Sequence, residues 1–189
     1  MTADQAACTR TVVEATPDAG VVANLGTAAW TLAAVAPDRA RSLPLTGAMG
    51  LTTAVGLGAA LRSDEQVTVL EGDGSLLMSL GTLATVAGED PPNLVVVVWA
   101  NDAYETTGGQ ASGGAEVDLA GVARDCGLAA WTADTDEAFV DAYAAAVAHD
   151  GAAVVVCDVD PYRPDPKQSL DYGHASEKGR FREAFGGAE

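Results

Sequence analysis

Lysine is nearly absent from this chain. Lys167 and Lys178 are the only two in 189 residues, and 27 acidic residues against 10 basic ones give a formal net charge of −17. A negatively charged surface repels the phosphate backbone of nucleic acids, so we expect no nucleic-acid partner. Acidic proteins with so little lysine are typical of high-salt cytoplasm, where screening weakens the repulsion between carboxylates. We therefore expect a cytoplasmic protein of a halophile, such as a halophilic archaeon.

Cysteine and long apolar segments are also scarce. Cys8, Cys126 and Cys157 are far apart in sequence and show no C-x-x-C spacing, which indicates neither a disulfide framework nor a zinc or iron–sulfur site. No apolar stretch reaches the length of a membrane span, and the N-terminus lacks a basic region followed by a hydrophobic block. We expect a soluble protein with no membrane partner and with its thiols in or near the core.

Small and apolar residues are abundant, with 48% hydrophobic residues and 21 glycines. After 18 residues of little pattern, apolar runs typical of strands alternate with segments of helical periodicity. The predicted strands are 21–23, 67–71, 93–99, 128–132 and 152–158. The predicted helices are 26–36, 51–61, 75–87, 117–126 and 135–149, with a short one at 176–185, and the glycine-rich 51–61 is expected to be buried.

This alternation predicts the fold class. Strands and helices at such spacing form right-handed crossovers, which build an α/β, doubly wound, mostly parallel sheet with helices on both faces. The pattern stops at Pro161. We therefore predict one domain over residues 1–160 and a polar tail over 161–189 that wraps over the domain or a neighbouring chain.

One turn of this fold carries candidate chemistry. Residues 72–75 read GDGS and follow the predicted strand 67–71. Ligands of parallel sheets bind where strands end and helices begin, glycine permits close approach to a ligand, and the Asp73 carboxylate suits Mg²⁺. Glycine and aspartate are also ordinary turn residues, so this tetrapeptide alone leaves a plain structural turn open.

A second oxygen ligand follows the next predicted strand. Asn101 comes directly after the apolar run 93–99, and it lies beside Asp73 if the two strands are neighbours. The sequence here resembles the signature of the thiamine diphosphate enzymes, with Gly72-Asp73-Gly74 followed by 26 intervening residues and then Asn101. That signature ends in two asparagines, whereas position 100 is alanine here, so Asn101 matches the second.

The resemblance implies a cofactor site for thiamine diphosphate and Mg²⁺. In that site, Mg²⁺ is bound by the side chains of Asp73 and Asn101 and by the backbone carbonyl of Ala103. Gly74 and Ser75 donate hydrogen bonds to the diphosphate. The loop 47–50 is similar to the one that holds the aminopyrimidine, with Met49 supporting the bent cofactor and the Gly47 carbonyl accepting from its amino group. The cofactor-binding residues are therefore predicted to be Gly47, Met49, Gly72, Asp73, Gly74, Ser75, Asn101, Ala103 and Tyr104.

A narrower resemblance is to the sulfopyruvate and phosphonopyruvate decarboxylases. It spans about residues 21–158 and includes Asn24-Leu25-Gly26 and the segment 103–110. It implies a small 2-oxo acid as substrate, with Thr107 and Gln110 at the substrate entrance. A chain of this length is similar to the β subunit of the split sulfopyruvate enzyme.

The glutamate that activates the pyrimidine ring in this family belongs to a domain that nothing in the sequence resembles. The resemblance therefore implies that this chain has no certain catalytic residue and that a pyrimidine-binding α subunit completes an α₂β₂ or larger assembly. Two alternatives remain open. One is another thiamine diphosphate decarboxylase or ligase, similar to phosphonopyruvate decarboxylase or acetolactate synthase. The other is a noncatalytic nucleotide-binding or assembly module.

Overall fold

The computed structural model describes residues 2–161 and 174–185. The helices are α1 (Gln5–Ala15), α2 (Thr27–Val35), α3 (Thr52–Ala60), α4 (Asp73–Met78), α5 (Thr82–Glu89), α6 (Leu119–Asp125), α7 (Asp136–Val147) and α8 (His174–Phe185). The strands are β1 (Gly20–Ala23), β2 (Ser42–Pro44), β3 (Val67–Gly72), β4 (Leu94–Ala100), β5 (Ala103–Tyr104), β6 (Gln110–Ala111), β7 (Ala129–Ala133) and β8 (Ala153–Asp158). A single 3₁₀ turn covers Gly114–Glu116.

Six strands form one sheet in the order β2-β1-β3-β4-β8-β7, and every neighbouring pair is parallel. The short strands β5 and β6 pair separately as an antiparallel hairpin. The predicted α/β doubly wound fold is thus confirmed. The two-residue strands of the hairpin carry too few residues for an alternating pattern, so the sequence did not predict them.

Alternate residues of each strand enter two different cores. Along β4, Val95, Val97 and Trp99 pack with α1, α2 and α7, whereas Leu94, Val96 and Val98 pack with α3, α4, α5, α6 and α8. Side chains of a strand point to opposite faces in turn, so a strand covered on both sides must be apolar throughout. This explains the unbroken apolar run in β4 and places helices on both faces of the sheet.

Two predictions of local structure were wrong. The first 18 residues contain α1, which begins where the Asp4 side chain accepts from the N–H groups of Ala6 and Ala7 and which buries Cys8 and Val12. The predicted helix 75–87 is two helices, because the chain turns at residues 79–81 between α4 and α5.

The helix α3 is only half buried. Gly56 and Leu57 face the sheet, but Leu51, Val55 and Leu61 are exposed at 54%, 36% and 48%. Met78, at the end of α4, is 61% exposed and lies against Gly50. Segments 46–61 and 74–88 contain no charged residue, although 20% of the chain is charged. The predicted burial is thus wrong for one face, which is apolar and uncharged.

The described part of the predicted tail packs on the domain. The side chains of Phe181 and Phe185 in α8 are buried against the core of the sheet, and Arg41 lies over the ring of Phe185. Residues 162–173 and 186–189 of that tail lie outside the described residues. Among the described helices, none combines the length and apolar character needed to cross a bilayer.

Folding brings two of the distant cysteines together. Cys8 of α1 and Cys157 of β8 are both buried and free, and the Cys8 thiol donates to Asp136 Oδ1 at 3.9 Å. The neighbouring Cys157 thiol, followed by burial, raises the pKa of Cys8. Cys126 is partly buried.

Candidate functional site

The candidate site lies at the carboxyl ends of β1, β3 and β4. The connection after β1 turns toward β2 at one side, and the connection after β3 turns toward β4 at the other. A crevice opens where neighbouring connections diverge in this way, and it is the usual ligand position in open α/β sheets. The turn after β3 is GDGS, and Asn101 follows β4.

A cavity of about 50 Å³ lies in this crevice. Its lining brings together eight of the residues that the sequence predicted, from the loop before α3, from the GDGS turn and from the segment after β4. The lining consists of Asn24, Leu25, Thr27, Met49, Gly72, Asp73, Gly74, Ser75, Asn101, Ala103, Tyr104, Glu105 and Thr106.

Asp73 and Asn101 reach the same cavity because β3 and β4 are adjacent and in register, with Gly72 opposite Trp99. The Asp73 side chain is 2% exposed. Its Oδ2 accepts from the backbone N–H of Asp102 at 2.9 Å and its Oδ1 from that of Gly74 at 2.7 Å. Burial raises the pKa of Asp73, whereas these hydrogen bonds oppose the rise.

The Ser75 hydroxyl connects the GDGS turn to the loop that carries Met49. Ser75 Oγ accepts from the backbone N–H of Gly50 at 2.9 Å, and the Ser75 hydroxyl lowers the pKa of the nearby Glu71 carboxyl. Glu71 is 1% exposed and accepts from the Thr53 N–H at 3.2 Å and from the Thr53 hydroxyl at 3.0 Å. Burial raises the pKa of Glu71, and these donors lower it. Glu71 therefore ties the turn to the start of α3.

Tyr104 packs directly on the GDGS turn. A methyl group added at Gly74 would overlap the Tyr104 ring and would lie 3.0 Å from Ser112 Cβ. Gly74 has an ordinary negative φ, so its backbone conformation would accept other residues. Position 74 requires glycine because a larger residue would collide with Tyr104. The hairpin of β5 and β6 thus forms one wall of the cavity.

Three predicted residues do not line the cavity. Gly47 is exposed in open space with φ of 69°, which glycine adopts readily. Thr107 and Gln110 are exposed at the tip of the hairpin, and the Thr107 hydroxyl donates to the Gln110 side-chain carbonyl at 2.9 Å. Their predicted roles require a cofactor or substrate that extends beyond this cavity.

Ser112 is a residue of the site that the sequence did not predict. This residue follows β6, and its hydroxyl donates to Asp73 Oδ2 at 2.7 Å. The two residues are 39 positions apart, and no spacing rule joins them. Asn24 was indicated only by the family resemblance of residues 24–26, although a polar side chain directly after a strand is itself a signal of a ligand site. Its buried Oδ1 accepts from the Thr52 hydroxyl at 3.2 Å.

The surroundings of the site are strongly acidic. A wider depression of about 560 Å³ beside it is lined by Asp102, Asp118, Asp158 and Asp160 among others. Burial, followed by repulsion from Asp102 and Asp134, raises the pKa of Asp158. No arginine or lysine of the described residues lines this depression or the smaller cavity. The field at the site therefore favours cations over anions.

Comparison with known families identifies the domain that carries this crevice. The family profile described as "Thiamine pyrophosphate enzyme, C-terminal TPP binding domain" matches residues 18–157. This chain belongs to the thiamine pyrophosphate enzyme family. The matched residues include all six strands of the main sheet and each turn that lines the cavity.

Curated relatives of this thiamine pyrophosphate domain are of two kinds. The sulfopyruvate decarboxylase subunit beta of Methanocaldococcus jannaschii is 34% identical over 166 residues, which are 87% of this chain and 87% of that one. The phosphonopyruvate decarboxylase of Streptomyces viridochromogenes is 41% identical over 157 residues, which are 82% of this chain but only 39% of that protein. The chain thus spans about two fifths of the second relative.

Solved structures show the same fold. Benzoylformate decarboxylase from Polynucleobacter necessarius superposes with a TM-score of 0.71 at 20% sequence identity, over 85% of this chain and 34% of that one. At this identity the likeness concerns the fold alone.

The donor set of the domain fits the cofactor of its family. A carboxylate, an amide oxygen and a backbone carbonyl are the hard oxygen ligands that Mg²⁺ takes beside a diphosphate. Asp73 Oδ1 accepts one hydrogen bond here and keeps a second lone pair. Among the described residues, no group of three or more His, Cys, Asp and Glu side chains is placed to hold a metal ion. A metal at this turn would therefore need oxygen from Asn101, a carbonyl and the ligand itself.

Proposed function

We propose that this chain is the β, diphosphate-binding subunit of a thiamine diphosphate-dependent 2-oxo acid decarboxylase, most like sulfopyruvate decarboxylase. The observation that carries the proposal is the convergence of Asp73, Asn101 and Ala103 on one cavity that Ser75 and Met49 also line. The sulfopyruvate relative supports the substrate, because it matches this chain over nearly the whole length of both proteins.

Several residues in and beside the cavity then have roles in holding the cofactor. The Asp73 carboxylate, the Asn101 amide oxygen and the Ala103 carbonyl would hold Mg²⁺, and the N–H groups at the start of α4 would donate to the diphosphate. Met49 would support the thiazolium ring, with Gly47 at the open end near the pyrimidine. The bound cofactor supplies an electron sink for loss of CO₂ from the 2-oxo acid. Thr107 and Gln110 would meet the substrate at the rim.

A pyrimidine-binding α subunit completes the site in this proposal. Glu71 is buried and held by Thr53, so it does not face the cavity as a proton-transfer group would. The phosphonopyruvate relative is more than twice as long as its match to this chain, which supports a second unit in the active enzyme. The uncharged surface formed by Leu51, Val55 and Met78 begins at Gly50, beside the cavity, and suits a partner that covers it. The assembly would be α₂β₂ or larger.

The partner would also supply positive charge. Sulfopyruvate carries a carboxylate and a sulfonate, whereas the described residues around the site present aspartates and no arginine or lysine. Two anionic groups bind such a site only if cationic or N–H-rich groups of another chain face them. This division of charge favours a shared active site.

The test is CO₂ release by the chain mixed with the pyrimidine-binding subunit, with thiamine diphosphate, MgCl₂ and molar KCl. Sulfopyruvate, phosphonopyruvate and pyruvate are compared as substrates. We expect sulfopyruvate to react fastest and Asp73→Ala to abolish the Mg²⁺-dependent rise in melting temperature. A faster reaction with phosphonopyruvate would indicate that the enzyme is a phosphonopyruvate decarboxylase instead. The lack of any stabilisation by cofactor, with the partner present, would instead favour a noncatalytic module.

A further inference from the structure

The two oxygens of the Asp73 carboxylate differ in their surroundings. Oδ2 accepts two hydrogen bonds, from the Asp102 N–H at 2.9 Å and from the Ser112 hydroxyl at 2.7 Å. Oδ1 accepts one, from the Gly74 N–H at 2.7 Å. Since each carboxylate oxygen has two lone pairs, Oδ2 is fully used and Oδ1 keeps one lone pair for a cation.

Ser112 is itself held in place on three sides. Its N–H donates to the Asp102 carbonyl at 3.0 Å, and its carbonyl accepts from the Tyr104 hydroxyl at 3.4 Å. Ser112 Oγ accepts from the Gly114 N–H at 3.1 Å. Because that bond occupies a lone pair of the hydroxyl, the hydroxyl hydrogen is directed to Asp73.

The segment that carries Ser112 also encloses the carboxylate. A methyl group added at Gly114 would overlap Asp73 Oδ2. The same hairpin starts at Asn101 and returns through β6 to Ser112, so one local unit presents the amide ligand and grips the carboxylate ligand.

We propose that Ser112 is a positioning residue for the metal site: its hydroxyl fixes the Asp73 carboxylate so that Oδ1 is presented to the divalent cation beside Asn101. This inference rests on the proposed function, which makes Asp73 a metal ligand. Groups that orient metal ligands typically change metal affinity by about 10-fold to 100-fold when removed. Ser112 thus sets the affinity for the metal without touching the substrate.

The experiment is a Mn²⁺ titration of the full chain with its partner subunit and excess thiamine diphosphate, followed by the electron paramagnetic resonance signal of free Mn²⁺. The key pair of variants is Ser112→Thr and Ser112→Val, which have the same shape and differ in the hydroxyl. We expect the dissociation constant for Mn²⁺ to be at least about 10-fold higher in the valine variant than in the threonine variant. The metal-free valine variant should melt at a lower temperature than the threonine variant, because Asp73 Oδ2 and the Gly114 N–H lose a partner. The Mn²⁺ affinities are therefore compared at a temperature at which both variants are folded.

Two further variants distinguish an error in the role of Ser112 from an error in the proposed function. Asp73→Ala should lose the Mn²⁺ site, and Thr132→Ala, which removes an exposed hydroxyl from β7, should leave the affinity unchanged. Equal Mn²⁺ affinity in the threonine and valine variants, with the site lost in Asp73→Ala, would overturn the role of Ser112 alone. Tight Mn²⁺ binding retained by Asp73→Ala would overturn the proposed function and this inference together.

Discussion

Gly50 and Ser75 are 25 positions apart in sequence, yet the Gly50 N–H donates to Ser75 Oγ at 2.9 Å in a buried contact. The bond joins the loop that carries Met49 to the turn that carries Asp73. The Ser75 hydroxyl also lowers the pKa of buried Glu71, so it stabilises the ionised form of a carboxyl that water does not reach.

Replacement of Ser75 by alanine should therefore destabilise the fold and weaken cofactor binding. It leaves the buried Gly50 N–H without its acceptor, which costs about 1–3 kcal/mol. Urea unfolding measures this loss. Ser63→Ala is the matched control, because the Ser63 hydroxyl accepts from the Glu65 N–H in an exposed turn and should cost less. Equal losses in the two variants would argue against the connecting role of Ser75.

Replacement of Gly74 by alanine should displace the hairpin of β5 and β6, because the new methyl group meets the Tyr104 ring. We expect a smaller rise in melting temperature on addition of thiamine diphosphate and MgCl₂, measured with the partner subunit present. Gly81→Ala is the control, since Gly81 has open space around it and a helical φ of −60°. An unchanged response of Gly74→Ala would show that Tyr104 does not hold the turn.

Tyr143 should make stability depend on pH in the alkaline range. Its buried hydroxyl is hydrogen-bonded to Thr68 at 2.7 Å and Thr16 at 3.0 Å, and burial raises its pKa above the ordinary value of about 10. A raised pKa means that the unfolded chain loses its proton first, so this contribution is complete below about pH 10 and is lost as the pH rises through the folded pKa.

The comparison is with Tyr143→Phe, which does not ionise. At neutral pH the variant should be less stable by about 1–3 kcal/mol, because Thr68 and Thr16 lose a buried partner. Near pH 11 the difference in unfolding free energy should shrink. A difference in unfolding free energy that stays constant, or that grows with pH, would contradict the raised pKa of Tyr143.

The uncharged surface around Met78 should bind the partner subunit. Met78→Asp places a charge on this surface, so we expect the chain to fold but to lose the complex in light-scattering measurements of mass. Val140→Asp is the control, because Val140 is also exposed, at 46%, but lies on α7 on the opposite face of the sheet. Loss of the complex in both variants, or in neither, would reject this docking surface.

High salt should stabilise the protein. With a net charge of −17, the folded chain repels itself, and molar KCl shortens the screening length to about 3 Å. We expect the melting temperature to rise between dilute buffer and molar KCl by more than it does in sucrose of the same osmolality. A fall would contradict adaptation to a saline cytoplasm.

The local sequence was sufficient to predict those elements whose residue pattern is typical of one type of secondary structure. The unbroken apolar run of β4 indicated a strand covered on both faces, and the alternation of strands with helices indicated a parallel sheet. The sequence placed Asp73 and Asn101 at strand ends, and the pairing of β3 with β4 in the structure made those ends adjacent. By contrast, two of the four buried positions of α1 are the polar residues Gln5 and Thr9, and the break between α4 and α5 carries no proline or charge to mark it.

The sequence by itself determined the layers of this protein and the two turns that hold its candidate ligands, because hydrophobic period and turn chemistry act over a few neighbouring residues. Only the tertiary structure decided that Ser112 reaches Asp73, that Ser75 reaches Gly50, and that one face of α3 stays exposed. These contacts join residues tens of positions apart, and they depend on how whole elements pack, which no local pattern encodes.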